Sequence, residues 1–275
     1  MVQVTGRTAT GALAEPHNGR QLERFAGDPD FMASLARGLM VIHVFNDARA
    51  NLSIAQISRK TGFPRAAVRR CLYTLTQLGY VSAAEHRYAL TPRMLTLGHA
   101  YLYSTPLVIL AQPILDRISA TLHESSSLSI LDGTEILYLA RSAATRIMSV
   151  ALHVGSRLPA FCTSMGQVLL AHLEHAALEQ YLACAELTAY TEHSLTSRIK
   201  LRKVLHGIHE TGYAIVDQQL EIGLRSIAVP VRDCAGAIVA AINSSAQSSR
   251  VSLTELRARF LPVLLGGAAE LGRLL

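Results

Sequence analysis

A short helix, a tight turn and a second helix constrain the fold of this chain more than any other feature of its sequence. Ser53 and Gln56 form an S-x-x-Q capping box, which predicts the start of the first helix. Gly62 after Thr61 predicts its end, because glycine adopts the left-handed conformation that closes a helix. Pro64 predicts the start of the second helix, at a position where the missing N–H costs nothing. The spacing predicts a helix-turn-helix.

The second of these helices, expected from residue 64 to about residue 78, has two contrasting faces. At 100° steps an apolar arc is predicted to face a core, and it contains Val68, Cys71, Leu72, Leu75 and Leu78. The opposite arc contains Ala66, Arg69, Arg70, Tyr73 and Gln77, with Arg65 at its N-terminal edge. Cationic, amide and small side chains can enter a major groove and reach phosphates and guanine edges. This helix is therefore predicted to be a recognition helix.

The segments before and after the helix-turn-helix also have patterns that predict secondary structure. A preceding helix is expected from Asp28 to near Asn46, on a three- and four-residue repeat of Met32, Leu35, Leu39 and Ile42. After the recognition helix, two short β segments flank the polar loop at residues 83–86, and Arg87 follows this loop. A β-hairpin wing carrying Arg87 would complete a winged helix-turn-helix. The predicted DNA contacts are Arg65, Ala66, Arg69, Arg70, Tyr73 and Arg87.

The charge of the chain is concentrated in the same region. The net charge is +6, and residues 1–93 hold 12 Lys and Arg against 6 acidic residues, whereas residues 94–275 hold 14 of each. Residues 49–93 alone carry eight basic side chains and one acid, Glu85. A basic face on a short helix can be merely solvated, but here the whole surplus coincides with the helix-turn-helix. The pattern favours a double-stranded DNA-binding module joined to a neutral one.

Several classes of protein are disfavoured by what the sequence contains. The polar N-terminus resembles neither a signal nor a transit peptide, and the richest apolar run, residues 101–115, is interrupted by polar residues and prolines. A membrane location is therefore not expected. Four single cysteines (Cys71, Cys162, Cys184 and Cys234) predict buried thiols in a reducing cytoplasm.

The sequence does not favour a metal site or an enzymatic function. The histidine pairs at residues 172–175 and 206–209 match neither H-E-x-x-H nor H-x-x-E-H, and no G-x-S-x-G, P-loop or G-x-G-x-x-G is present. No metal site and no cofactor are predicted. The rival function is an enzyme acting on an aromatic acid with an accessory helix-turn-helix, but no nucleophile with its base can be named.

The remainder of the chain predicts an α+β domain behind a connecting helix. Residues 99–124 are expected to form the linker helix. Within this segment, Thr105-Pro106 is typical of a helix start, and Pro113 is expected to kink or restart the helix. Its apolar stripe, Leu115, Ile118 and Leu122, fits either core packing or a dimer seam. Strands, then helices, then strands follow, and they predict an antiparallel sheet in residues 125–275. One of these strands is expected at residues 146–154.

Long segments of the sequence resemble one known family. RGLMVIHVF, LSIAQISRKTGFPRAAVRRCLYTLTQLGYV, RLPAFCTSMGQVLLA, GYAIVDQQLEIGLRSIAVPVRD and AAINSSAQSSRVS are similar to the IclR family of bacterial transcriptional regulators. Within it they look closest to regulators of protocatechuate, 4-hydroxybenzoate and β-ketoadipate catabolism. The resemblance covers about residues 28–275 and implies a winged helix-turn-helix (28–98), a linker helix (99–124) and a GAF-like effector domain (125–275). Residues 1–27, which are Gly, Ala and polar residues without periodicity, are expected to form a flexible tail. The resemblance also implies homodimers, often paired into tetramers on DNA, an activator's role and RNA polymerase as a possible partner.

The implied effector is a small aromatic or dicarboxylic acid, whose carboxylates need hydrogen-bond donors. A helix beginning near Ser164 offers two hydroxyls and free N-terminal amides. From polar residues at strand ends and from the resemblance, the expected effector contacts are Leu158, Ala160, Thr163, Ser164, Asp217, Arg225, Ser226, Asn243 and Ser245. Asn243 stands where many family members have serine. The plainer interpretation makes Thr163 and Ser164 only a helix cap and Asn243 only a turn residue.

Overall fold

The computed structural model describes residues 19–46, 51–143 and 152–275. The chain divides into two compact units, Glu15–Ser104 and Thr105–Leu275. The division falls inside the segment expected to be a linker helix. Residues 1–18 of the expected tail and most of the strand expected at 146–154 lie outside the described residues.

The N-terminal unit is a small helical domain with a two-stranded wing. Its helices are α1 (Ala33–His43), α2 (Ile54–Thr61), α3 (Arg65–Gln77) and α4 (Leu95–Ser104), and its strands are β1 (Val81–Ala84) and β2 (Arg87–Leu90). Short 3₁₀ turns lie at Gly19–Phe25, Val44–Asn46 and Pro92–Met94. The core contains Met40, Val41, Val44, Phe45, Leu52, Ile57, Phe63, Val68, Leu72, Leu75 and Val81. The order of elements is that of the predicted winged helix-turn-helix.

The predicted start and end of α2 are confirmed by its capping hydrogen bonds and by the conformation of Gly62. The Ser53 hydroxyl accepts a hydrogen bond from the Gln56 N–H at 3.3 Å, and the Ser53 N–H donates to Gln56 Oε1 at 2.8 Å. Gly62 then closes the helix with φ of 72°. These bonds satisfy backbone groups that a helix end otherwise leaves without partners.

The apolar stripe predicted on α1 is not its buried face. Met32, Leu35 and Leu39 are 66%, 58% and 50% exposed, whereas Met40 and Val41 are buried. The helix starts at residue 33, later than expected, and only its last turns contact the core of the unit. The repeat located the helix correctly, and of its four residues Ile42 packs against the core.

The C-terminal unit is built on a six-stranded antiparallel sheet in the order β5-β4-β3-β8-β7-β6. The strands are β3 (Ser125–Asp132), β4 (Glu135–Ser142), β5 (Arg157–Pro159), β6 (Ala214–Asp217), β7 (Leu224–Arg232) and β8 (Ile238–Gln247). The helices are α5 (Pro106–Leu122), α6 (Ser164–Ala171), α7 (His175–Cys184), α8 (Arg198–Thr211), α9 (Leu253–Glu255) and α10 (Leu261–Leu274), with a π turn at Leu256–Phe260 before α10. Core residues of α5 and α10 cover one face of the sheet, and those of α6, α7 and α8 cover the other. The fold is α+β, as predicted.

Helix α5 belongs to the core of this unit. Ile114, Leu115, Ile118 and Leu122 are all at most 3% exposed, and they pack in one cluster with β3, β7, β8 and α10. Of the two expectations for this stripe, core packing is therefore correct. The helix runs without interruption from Pro106 through Pro113 to Leu122, so the predicted restart at Pro113 is not observed.

The prediction that all four cysteines are buried is wrong for two of them. Cys162 is buried and Cys71 is half-buried, but Cys184 and Cys234 are exposed, and all four are free thiols. Cys184 ends α7, and Cys234 lies in the turn between β7 and β8. Such positions expose a side chain whatever its hydrophobicity.

Candidate DNA-binding face and effector pocket

The turn between α2 and α3 is held by side chains as well as by Gly62. The Ser58 hydroxyl donates to the Phe63 carbonyl at 2.6 Å. The buried Thr61 hydroxyl donates to the Ile57 carbonyl at 2.9 Å and accepts from the Phe63 N–H at 3.2 Å. Phe63 is itself buried and anchors the turn in the core. The angle at which α3 leaves α2 is therefore fixed.

Helix α3 presents the predicted residues to solvent. Val68 and Leu72 are fully buried and Leu75 is 8% exposed, whereas the exposed set comprises Arg65, Ala66, Arg69, Arg70 and Tyr73. Leu78 is the exception on the apolar arc, because the helix ends at Gln77 and leaves Leu78 about half exposed. Arg65, Arg69 and Arg70 form no ion pair with any described residue. The face is cationic and available to a polyanion.

Arg87 in the wing occupies a different environment from the arginines of α3. Its guanidinium donates to Gln56 Oε1 at 3.3 Å and to the Asn51 carbonyl at 3.4 Å. Leu52 and Tyr88 exchange two backbone hydrogen bonds of 2.9 Å beside it. Arg87 thus ties the wing to the capping box of α2, a contact between distant residues that the sequence did not predict.

The wing itself is a tight hairpin. Glu85 and His86 form its two-residue turn, with φ of 50° and 61°. Positive φ at both central residues matches the right-handed twist of the two strands. At the other end of the hairpin, the Thr91 hydroxyl donates to the Gly79 carbonyl at 2.6 Å, and Arg93 lies over the Tyr80 ring at 5.4 Å.

A pocket in the C-terminal unit lies at the N-terminal end of α6, on the face of the sheet that this helix covers. The space without protein atoms in this pocket is about 490 Å³, and it includes a part that is open to solvent. The lining residues are Tyr138, Leu152, Leu158, Cys162, Thr163, Ser164, Val216, Leu220, Glu221, Leu224, Ser226, Asn243 and Ser245. Of the predicted effector contacts, the wall contains Leu158, Thr163, Ser164, Ser226, Asn243 and Ser245.

The start of α6 leaves one buried hydroxyl unsatisfied. Thr163 caps the helix, since its hydroxyl accepts from the Gly166 N–H at 3.2 Å and lies 3.1 Å from the Pro159 carbonyl. Ser164 is 1% exposed, and its hydroxyl has no hydrogen-bond partner among the described residues. Thr163 is therefore a cap as well as a wall residue, whereas capping does not account for Ser164. Buried hydroxyls without partners are rare, because desolvation costs about 1 to 3 kcal/mol.

Asn243 presents a second unsatisfied atom to the same pocket. Its Nδ2 donates to the Ser245 hydroxyl at 3.2 Å, while its Oδ1 has no partner in the described part of the chain. The residue is 5% exposed and lies on β8, not in a turn. Asn243 and Ser164 thus both contribute a buried polar atom without a partner to a pocket that is also lined by leucines.

Three predicted effector residues do not line the pocket. Asp217 and Arg225 are cross-strand partners one position from the wall residues Val216 and Ser226. Since successive side chains of a strand point to opposite faces, they lie on the other face of the sheet. There Arg225 donates to both carboxylate oxygens of Asp217, at 3.0 and 3.2 Å, and to the Val251 carbonyl at 2.7 Å. Ala160 is fully buried behind the first turn of α6.

Sequence reasoning missed Tyr138 and Cys162, both of which line the pocket. Burial raises the pKa of Tyr138 to about 12 and that of the Cys162 thiol to about 12. Both side chains are therefore neutral at physiological pH. A protonated thiol of this kind is a poor nucleophile, so the wall is suited to recognition. The alternation of β4, with Ile136 and Tyr138 turned towards α6, was the sequence signal that could have located Tyr138.

No group of three or more His, Cys, Asp or Glu is placed to hold a metal ion in residues 19–46, 51–143 and 152–275. The rings of His172 and His209 instead lie 5.0 Å apart at an interplanar angle of 40°, and the Nδ1 atom of each ring contacts a backbone carbonyl. Within those same ranges, no helix combines the length and apolar character that a membrane span requires.

The sequence matches two family models that together cover both units. Residues 34–84 match the IclR helix-turn-helix domain, and residues 99–273 match the C-terminal domain of the bacterial transcriptional regulator IclR. The chain belongs to the IclR family. It is a DNA-binding transcriptional regulator, and the rival interpretation as an enzyme is set aside because the family consists of regulators.

Relatives within the IclR family extend over nearly the whole chain. The Pca regulon regulatory protein of Pseudomonas putida is 51% identical over 96% of this chain and 92% of its own length. The p-hydroxybenzoate hydroxylase transcriptional activator of Acinetobacter baylyi is 33% identical over 95% of this chain and 97% of its own. In a crystal structure, the inducer-binding domain of the Acinetobacter PobR transcription factor, a double mutant, is complexed with 3-hydroxybenzoic acid. That domain is 30% identical, with a TM-score of 0.58 over 62% of this chain and all of its own.

Proposed function

We propose that this regulator controls genes of aromatic-acid catabolism in the cytoplasm, as an activator, in response to a small carboxylate bound in the pocket at α6. The observation that carries the effector part is the pair of buried, unpartnered polar atoms, Ser164 Oγ and Asn243 Oδ1, of residues that line the same pocket. The names of the relatives from Pseudomonas and Acinetobacter, and the hydroxybenzoate bound to one of them, support the class of acid. The effectors to consider are β-ketoadipate, protocatechuate and 4-hydroxybenzoate.

The proposed DNA contacts are those of the recognition helix α3. Arg65, Ala66, Arg69, Arg70 and Tyr73 share its exposed face. Arg87, exposed on the wing and hydrogen-bonded to Gln56, is the sixth proposed contact. One such helix reads only a few base pairs, so two copies in a homodimer are needed for a specific operator, and two dimers could pair on DNA. As an activator, the bound protein would also contact RNA polymerase.

Effector control requires a difference in affinity between two states of the regulator. A ligand that binds the DNA-competent arrangement tenfold more tightly shifts the equilibrium by about 1.4 kcal/mol. Ser164 and the first amides of α6 supply donors to an anion, and the dipole of the helix favours negative charge there. The leucines that line the pocket suit the apolar body of the acid.

The DNA contacts are tested by measuring operator affinity by fluorescence anisotropy at several salt concentrations. If Arg70 contacts phosphate, Arg70→Ala weakens binding to all sequences alike and reduces the salt slope by about one unit. If it reads a base, the variant loses discrimination instead. Arg202→Ala, which removes an exposed arginine of α8, is the matched control. Operator binding at the parental level by both Arg69→Ala and Arg70→Ala would refute the assignment of α3.

The effector is tested by calorimetry of the full chain with each of the three acids. At least one acid is expected to bind, and Ser164→Ala is expected to weaken it about tenfold, the loss of a hydrogen bond to a charged group. Asn243→Ser restores the residue that is common in the family and is expected to change which acid is preferred. Absence of heat with all three acids would remove the pathway from this proposal.

A further inference from the structure

Arg141 lies on the face of the sheet that carries the pocket, and it belongs to neither apolar core of the C-terminal unit. On β4 it is the direct cross-strand partner of Ser127, and Ser127 is in turn the partner of Asn243 on β8. The three residues form one row across three neighbouring strands. The Arg141 guanidinium donates to the Ser127 hydroxyl at 3.1 Å, so it reaches over the middle strand towards Asn243.

The face of this row is established by its neighbours. Ala140, Leu128 and Ile242, each adjacent in sequence to a member of the row, belong to the core under α5 and α10. Because side chains alternate along a strand, Arg141, Ser127 and Asn243 point to the opposite face, which α6 covers. Asn243 is part of the pocket wall, so the guanidinium lies one strand away from that wall.

The electrostatic environment of Arg141 is also unusual for this unit. Six arginines there pair with carboxylates: Arg117, Arg157, Arg202, Arg225, Arg250 and Arg259. The other described arginines without a carboxylate partner are exposed to solvent: Arg198, Arg232, Arg257 and Arg273. Arg141 pairs with no carboxylate of the described residues, although it is half-buried and burial lowers the pKa of its guanidinium. A cation removed from water without an anion is unfavourable, and a bound anion would relieve that cost.

We propose that Arg141 is the cationic anchor for the carboxylate of the effector. This inference rests on the proposed function, since it assigns a specificity-determining residue to the same pocket. Adjacent strands are about 4.8 Å apart, so a carboxylate placed against Asn243 lies within reach of a guanidinium above Ser127. The planar guanidinium can donate two parallel hydrogen bonds to a carboxylate, and an ester or amide cannot replace that ion pair. Arg141 therefore selects acids over their neutral analogues.

The test is calorimetry of the full chain with the acid that binds best and with its methyl ester. Arg141→Gln is expected to weaken the acid at least tenfold and to leave the affinity for the ester within twofold. Arg141→Lys keeps the positive charge but loses the planar pair of donors. Its affinity for the acid is expected to lie between that of the parent and that of Arg141→Gln. Arg202→Gln removes an arginine whose partner Glu179 lies on α7, far along the chain from the row, and should bind as the parent does.

A second variant keeps the test valid if Arg141→Gln does not fold. Ser127→Ala removes the hydroxyl that holds the guanidinium without removing its charge, and is expected to weaken the acid severalfold. Equal binding of the acid by the parent, Arg141→Gln and Ser127→Ala would overturn the anchor and leave the proposed function standing. An equal loss of affinity for the acid and for the ester in Arg141→Gln would overturn the anchor as well, because it would indicate a damaged pocket. If the parent binds none of the three acids, the aromatic-acid pathway is removed from the proposed function, and the anchor falls with it.

Discussion

The close approach of α6 to the segment before it leaves no room for a side chain at Gly166, which lies in the first turn of the helix beside the pocket. A Cβ added to Gly166 would lie 2.1 Å from the Ala160 carbonyl oxygen and 2.4 and 2.6 Å from its Cα and C atoms. All three atoms belong to backbone, so no side-chain rotation relieves the overlap. All eight residues of α6 are buried, and the helix cannot move outward without disturbing the sheet.

Gly166→Ala is therefore expected to destabilise the C-terminal unit. Overpacking typically costs about 1 to 3 kcal/mol, and a clash with backbone belongs at or above the upper end. The better helix propensity of alanine returns about 1 kcal/mol, which leaves a net loss of about 2 to 3 kcal/mol. At roughly 2 to 4 °C for each kcal/mol in a unit of this size, the unfolding temperature should fall by about 4 to 12 °C.

Scanning calorimetry of the full chain measures this change, and Gly207→Ala provides the matched control. Gly207 lies inside α8, and a Cβ there meets no atom within 4 Å. Its replacement should stabilise the same unit by about 0.5 to 1 kcal/mol, because glycine is a poor helix former. The two substitutions are chemically identical and are expected to act with opposite sign. An unfolding temperature of Gly166→Ala at or above that of the parent would refute the packing argument.

Three further outcomes are expected. Ser53→Ala removes the α2 cap and should cost about 1 kcal/mol in urea unfolding, whereas an unchanged midpoint would contradict the role of the capping box. Cys184 and Cys234 should react with a thiol reagent at pH 8 in the native protein, and Cys162, whose pKa is raised to about 12, should react only on unfolding. The raised pKa of Tyr138 means that the unfolded state loses this proton from about pH 10 while the folded state keeps it until about pH 12. Stability should therefore fall as the pH rises between these values, by at most about 1.4 kcal/mol per unit for this group, and Tyr138→Phe should reduce that slope in urea titrations at pH 9 to 11.

The helix-turn-helix could be predicted from the sequence because its determinants are local. The capping box of Ser53 and Gln56, the left-handed Gly62 and the two faces of α3 each depend on residues within a few turns of one another. The stripe on α1 shows where this reasoning fails. Met32, Leu35 and Leu39 recur with helical periodicity and are nevertheless exposed, because periodicity identifies a face and not its partner.

The effector pocket was only partly accessible to sequence reasoning. Thr163 and Ser164 were found through the helix start, and Asn243 and Ser245 through polar residues in an apolar strand. Asp217 and Arg225 were assigned to the pocket, but a displacement of one residue along a strand puts them on the other face, where they pair with each other. The face that each strand presents to α6 depends on register across the sheet, which no single segment encodes.

The sequence by itself determined the modules: a cationic helix after a capped one, the confinement of the charge surplus to residues 1–93, and an α+β domain behind them. These follow from hydrogen bonds and periodicities within a few residues of each other. Only the tertiary structure decided that α5 is a core helix, that Arg87 braces the wing, and that Arg141, Ser127 and Asn243 share one row. Each of these depends on contacts between residues that are far apart in the chain, and such contacts form only when the chain packs.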